Sequence, residues 1–278
     1  MAINPEALGK TTEALKYTYR WQDVVLYALG IGAKVDELDY LYEARGPKVL
    51  PSFIVVPAYQ AAGALFQGIG GNLEGVVHGA QSITMHKALP PSGTLTTTGK
   101  VTGLYDLKRM AQAYFTTETV DESGELVAET EWSIIYRMDG GFGGEAPPRR
   151  PQIRPPEREA DFVFKEATSK EQALLYRLNG DYNPLHADPE LGEKVGFGGP
   201  ILHGLCTYGH VARAVIKEVC AGDASKLKQF SGQFRKPVWP GDTLITEGWK
   251  EDGTIILRVS CEERPGEVVF GNAFALLH

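Results

Sequence analysis

Tyr176-Arg177-Leu178-Asn179-Gly180-Asp181-Tyr182-Asn183-Pro184-Leu185-His186-Ala187-Asp188, followed by Gly196-Phe197-Gly198-Gly199-Pro200-Ile201-Leu202-His203-Gly204, is the most informative stretch of this 278-residue chain. Asp181, Asn183 and His186 fall within six residues of one another. Pro184 pushes the residue before it out of the helical region, so the three cannot lie along one straight helix. The chain turns there, and a carboxylate, an amide and an imidazole can converge. Downstream, a glycine-rich loop leads through Pro200 into an apolar run, and the pattern predicts a helix over about 201–219 with proline at its start. The unpaired N–H groups of a helix start suit a developing negative oxygen. Taken alone, Asp181 and His186 also fit a capped loop carrying a structural histidine.

Working outward, Gly140-Gly141-Phe142-Gly143-Gly144 and the prolines at 147, 148, 151, 155 and 156 read as a linker, because glycine removes backbone restraint and proline blocks continuation of helix or sheet. It divides the chain into 1–145 and 146–278. Both halves read as α+β, helical periodicity first and then a run of strands. The first half opens helically over 7–28, passes through Gly- and Pro-rich loops, and ends in strands over 81–87, 94–105, 111–121 and 126–138. The second has a short helix after Thr168-Ser169, the helix over 201–219, and strands over 229–237, 242–251, 254–262 and 267–277. Asp121-Glu122-Ser123-Gly124 and Asp252-Gly253 are hairpin signals.

Gly180-Asp181-Tyr182-Asn183-Pro184-Leu185-His186 resembles the signature of the R-specific enoyl-CoA hydratases, the hydratase-2 or MaoC-like group. The likeness continues in Gly199-Pro200-Ile201-Leu202-His203-Gly204-Leu205-Cys206-Thr207 and in Phe234-Arg235-Lys236-Pro237-Val238-Trp239-Pro240-Gly241. In the first half, His78-Gly79-Ala80-Gln81 and Leu89-Pro90-Pro91-Ser92-Gly93-Thr94-Leu95 are similar to that group's non-catalytic half. The resemblance spans nearly the whole chain, and includes the hydratase unit of the peroxisomal multifunctional enzymes.

It implies a double hot-dog fold, two hot-dog repeats forming a pseudo-dimer, with 146–278 catalytic and 1–145 shaping the acyl pocket. It implies reversible hydration of trans-2-enoyl-CoA to (3R)-3-hydroxyacyl-CoA in fatty acid β-oxidation. In that reaction water attacks C3, a proton reaches C2, and negative charge builds on the thioester oxygen. Asp181 and His186 would hold one water and pass its protons, Asn183 would orient the site, and the Gly204 N–H would receive the oxyanion. His78, Gly79, Lys108, Tyr182, Pro184, Leu185 and Phe234 would contact the substrate. Leu107-Lys108-Arg109 departs from the group's usual Lys-Gly spacing. The first half carries no Asp-x-Asn-Pro-x-His, so no second active site is expected. A hot-dog acyl-CoA thioesterase, or a dehydratase of a specialised thioester, is the alternative.

No cofactor is implied, since the CoA thioester is itself the substrate, and a homodimer is expected. The peroxisome is the expected compartment, with the cytoplasm as alternative, because Ala275-Leu276-Leu277-His278 is not a Ser-Lys-Leu type address. The net charge of −7 argues against nucleic-acid binding, and no run of about 18 consecutive apolar residues suggests a membrane span. Three cysteines without a C-x-x-C pair point to a reducing compartment and away from cysteine-held zinc. No metal site is expected: His186, Asp188, His203 and His210 match no closed ligand spacing, and His203 and His210 read as ordinary helix positions. Cys206 reads as a small buried hydrophobe, and Arg149, Arg150, Arg154 and Arg158 as a solvated linker.

Overall fold

The structure, a computed structural model, describes residues 2–278. In chain order it contains β1 (Leu15–Tyr19), α1 (Trp21–Gly30), α2 (Leu38–Leu41), α3 (Val55–Ile69), β2 (Val76–Met85), β3 (Gly93–Asp106), β4 (Ala111–Val120) and β5 (Leu126–Tyr136). There follow β6 (Phe162–Ala167), α4 (Gln172–Tyr176), α5 (Pro189–Lys194), α6 (Gly204–Glu218), β7 (Leu227–Phe234), β8 (Thr243–Glu251), β9 (Thr254–Cys261) and β10 (Arg264–Leu277). Two compact units emerge, and they are not the two halves of the sequence. Unit 1 comprises residues 2–18, Ile54–Lys87 and Thr94–Gln152; unit 2 comprises Tyr19–Phe53, Ala88–Gly93 and Ile153–His278. These units interleave along the chain rather than following the division at 145/146: residues 19–53, early in the chain, pack with the later strands and α6.

Unit 1 is an antiparallel sheet in the order β1-β3-β4-β5-β2, with α3 packed against β4 and β5. The sheet interior holds threonine pairs: Thr97 bonds Thr119 at 2.9 Å and Thr117 bonds Thr130 at 2.7 Å, which satisfies hydroxyls that would otherwise be buried without partners. The helix expected over 7–28 is instead a 3-10 turn, strand β1 and then α1. Aromatic and β-branched residues in Leu15-Lys16-Tyr17-Thr18-Tyr19 favour the pleated strand. Conversely, the Gly- and Pro-rich segment read as loop contains α3. Pro57 is the third residue of α3, where no intrahelical N–H partner is lost, so it does not break the helix. The 19-residue stretch Pro51–Ile69 is apolar and long enough to span a bilayer, but Ala58, Ala61, Ala62 and Leu65 are buried, and it reads as a core helix.

Unit 2 repeats the plan with β7-β10-β9-β8-β6 and α6, which packs on β6, β7 and β8. β6 was not foreseen. The Asp252-Gly253 hairpin is present with φ of 44° and 83°, as a type I′ turn requires. α6 is buried from Leu205 to Ile216, which marks it as a central core helix. Close packing by the 19–53 segment depends on Gly209: a Cβ there would sit 2.4 Å from Ile31 Cγ2. Arg213 and His210 of α6 meet charged partners from other elements. Arg213 donates to the Ile31 carbonyl at 3.2 Å and to Glu37 at 2.5 Å, and it also contacts Glu166, which accepts from His210 Nδ1 at 2.9 Å. Burial works to raise the Glu166 carboxyl, but the His210 hydrogen bond and Arg213 charge overcome it and hold it below its ordinary value. His210 is thus a structural partner in a buried ion cluster, not an ordinary helix position.

The linker is less solvated than its composition implied. Arg150 pairs with Glu131 at 2.6 Å and lies over the Tyr114 ring, and Arg158 pairs with Asp161 and Glu251 at 2.9 and 2.7 Å.

Candidate active site

The Asp181–His186 segment is shaped by three local devices. Gly180 ends the 3-10 turn Arg177–Asn179 at φ 114°, a conformation that favours glycine. Asp181 Oδ1 accepts the Asn183 N–H at 3.3 Å, and Asn183 Oδ1 accepts the Leu185 N–H at 3.0 Å. Asn183 therefore caps the 3-10 turn Pro184–His186, with Pro184 at its first position. The expected bend at Asn183-Pro184 is real, and it returns His186 towards Asp181.

One oxygen of Asp181 and one ring nitrogen each of His186 and His203 lie within 4.8 Å of one another. Two groups about 2.8 Å from one water oxygen, meeting it near the tetrahedral angle, are about 4.6 Å apart. Asp181 and His186 are thus spaced to share a water. His186 Nδ1 lies 2.8 Å from the Ile201 carbonyl, and a carbonyl only accepts, so Nδ1 carries the proton. The neutral ring then presents Nε2 as a bare acceptor. Burial of His186, which is 9% exposed, lowers its pKa below the ordinary 6.5; Asp181 and the Ile201 hydrogen bond oppose that shift, and Arg177 adds to it. If His186 must be neutral, the acid limb of kcat/KM for hydration is expected below pH 6.5, with activity flat above it and lost on further acidification. A pH–rate profile that falls already above pH 6.5 would contradict this.

His203 precedes α6 as its N-cap, and Gly204 is the first helical residue. The helix begins four residues later than Pro200, so proline does not start it; residues 200–203 run unwound into the helix. Gly204 occupies the position whose N–H lacks an intrahelical partner. Phe234 lies against it, with ring atoms 3.3–3.4 Å from where a Gly204 Cβ would be.

The other expected residues divide between the units. In unit 2, Leu185 accepts the Ile201 N–H through its carbonyl at 3.3 Å, Pro184 is exposed, and Tyr182 is 60% exposed with Arg177 over its ring at 5.5 Å. In unit 1, His78 stacks on Trp132 with ring centroids 5.4 Å apart, and Gly79 forms the irregular step in β2 where a Cβ would meet Ile135 at 2.9 Å. Lys108 is exposed in the turn after β3 at φ 70°, its N–H bonded to Asp106 at 2.7 Å.

The metal set weighed from the sequence does not assemble. Asp188 caps α5 and His210 pairs with Glu166. Asp181, His186 and His203 have suitable donor types, but the two imidazoles stack at 3.7 Å with planes 26° apart. Their in-plane lone pairs run side by side instead of converging on one ion. Sequence reasoning missed the engagement of His203 with this site; its place directly before Gly204, after a glycine-proline loop, was the available signal. Cys206 is fully buried, its thiol pKa pushed well up by burial, and donates to the Gly30 carbonyl at 3.2 Å.

A family model described as "MaoC like domain" matches residues 152–269, and one described as "MFE-2 hydratase 2 N-terminal domain" matches residues 17–138. The peroxisomal enoyl-CoA hydratase 2 of Arabidopsis thaliana is 38% identical over 92% of this chain and 90% of its own length. A MaoC-like dehydratase from Phytophthora capsici superposes with a TM-score of 0.88 at 30% identity, covering 99% of this chain and 98% of the other. The full-length peroxisomal multifunctional enzyme type 2 of Drosophila melanogaster gives a TM-score of 0.82 at 34% identity, covering 95% of this chain and 48% of that one. Two sheet-and-helix repeats with one Asp-x-Asn-Pro-x-His turn make this a double hot-dog protein of the MaoC-like class. Within that class, the chain belongs to the hydratase 2 family of enoyl-CoA hydratases, which are hydro-lyases.

Proposed function

We propose that this chain reversibly hydrates trans-2-enoyl-CoA to (3R)-3-hydroxyacyl-CoA in fatty acid β-oxidation, with Asp181 and His186 as the acid–base pair. The observation that carries the reading is a carboxylate oxygen of Asp181 and an imidazole nitrogen of His186 within 4.8 Å, on the turn that bears the family's signature. The pair holds one water. As its oxygen bonds C3, one of its protons passes to the pair, and a proton from the pair reaches C2, so none is exchanged overall. Electron density from the double bond moves onto the thioester oxygen, where the Gly204 N–H donates, and returns as C2 is protonated. The proton transfer is assigned to both groups together. Asn183 orients the turn. Phe234, Tyr182, Pro184 and Leu185 line the approach, and the family resemblance makes His78, Gly79 and Lys108 the thioester contacts. Sequence region 1–145 shapes the acyl pocket and 146–278 catalyses. No cofactor enters this chemistry.

The test is crotonyl-CoA followed by loss of enoyl-thioester absorbance alongside free thiol. Absorbance loss without thiol release is expected; thiol release would mean a thioesterase. Chiral analysis of the product should give the R alcohol, and an S alcohol would exclude this assignment. We further infer a homodimer, to be checked by sedimentation. The peroxisomal names among the relatives support that compartment over the cytoplasm, and fractionation of the source cells tests it.

A further inference from the structure

His203 takes no part in the proton transfers described above, yet its side chain reaches both members of the pair. Its Nε2 donates to the backbone carbonyl of Asp181 at 3.1 Å, which fixes the proton on that nitrogen. One face of the ring stacks on His186 at 3.7 Å, and Tyr176 packs against it at 4.9 Å with planes 52° apart. His203 is 1% exposed, and its Nδ1 is buried without a hydrogen-bond partner. Its own backbone is the N-cap that begins α6 at Gly204.

We propose that His203 is a positioning residue for hydration: one ring holds the Asp181 backbone, the plane of the His186 imidazole and the start of α6 in fixed relation. The proposal rests on the reading of Asp181 and His186 as the reacting pair. The task needs a flat face and an edge donor at once. Phenylalanine supplies only the face, and glutamine only the donor. The ring must also stay neutral, since a charged one would repel His186⁺ during turnover. Burial, the neighbouring His186 and Arg177 push its pKa down to about 2, against the opposing hydrogen bond to Asp181. The groups facing this stack are Asp181, Arg177 and Tyr176. His203 also covers one face of His186 from water, which sustains the burial that keeps His186 neutral.

The experiment measures kcat, KM and the pH dependence of kcat/KM with crotonyl-CoA for His203→Phe and His203→Gln, beside Asp181→Ala. Each His203 variant is expected to lose about 10- to 100-fold in kcat with KM within about threefold, because small misplacements of reacting groups cost rates of that order. His203→Gln, which exposes the face of His186, should move the acid limb up in pH, while His203→Phe leaves it in place. Both variants within twofold of wild-type kcat, with unmoved acid limbs, would overturn the proposal while an inactive Asp181→Ala left the catalytic pair standing. A fully active Asp181→Ala would instead overturn the pair itself. The wild-type protein supplies a readout free of folding effects: nitrogen-15 imidazole NMR should find His203 protonated at Nε2 alone and not titrating between about pH 5 and 8. A His203 signal titrating near 6.5 would also overturn it.

Discussion

Asp181→Ala and His186→Ala should each lower kcat for crotonyl-CoA hydration by about 10³ or more, about 4 kcal/mol of barrier, while thermal unfolding stays cooperative. The size follows from the division of labour: with one member gone, the water loses a hydrogen-bond partner and its proton loses its route to C2. Because the two act on the same water, their losses should not multiply. The double variant is expected within about tenfold of the weaker single one, the behaviour of groups that work as a unit. Either single variant retaining more than a tenth of wild-type kcat would show that its side chain is not in the proton path. Singles that multiply would show two independent steps.

The candidate site was legible because the residues proposed for its chemistry sit on a short contiguous segment. Asp181, Asn183 and His186 are held by Asx-type bonds two residues long and by a proline, so spacing along the chain nearly fixes spacing in space. The strands after residue 76, β6 apart, were legible for a similar reason, since Thr, Val and Tyr fill them and turn residues punctuate them. What stayed hidden depends on distant partners. α3 contains Pro57, Gly63 and Gly68, so its local composition argues against a helix; burial of its alanines on β4 and β5 decides otherwise. Residues 19–53 join unit 2 because Gly209 and Gly32 leave room for Ile31 and His210, a fit between positions roughly 180 apart that no local pattern carries. His203 looked like one more helix residue, because its bond to the Asp181 carbonyl spans 22 positions. Arg213 in α6 likewise shows its purpose only when Glu37 and Glu166 arrive from elsewhere.

Gly204→Pro is expected to lower kcat by about 10²–10³ relative to Gly204→Ala, the loss that follows removal of one oxyanion donor. The comparison works because the backbone accepts proline here. Gly204 is the first residue of α6, where proline is favoured and its N–H has no helical partner to lose. His203, at φ −56° and ψ 136°, already holds the extended conformation that a residue before proline adopts. Either substitution adds a Cβ that meets the Phe234 ring at 3.3–3.4 Å, close enough to shift it by a few tenths of an ångström, so that crowding is common to both. What differs is the N–H. Alanine keeps it and proline replaces it with a ring carbon, so the ratio of the two rates measures the donor itself. A donor that tightens on the enolate oxygen should show its loss in kcat, whereas a ring that merely obstructs the thioester should raise KM. If Gly204→Pro turns over within threefold of Gly204→Ala, the thioester oxygen is stabilised elsewhere, and the start of α6 serves only to hold His203 against the pair.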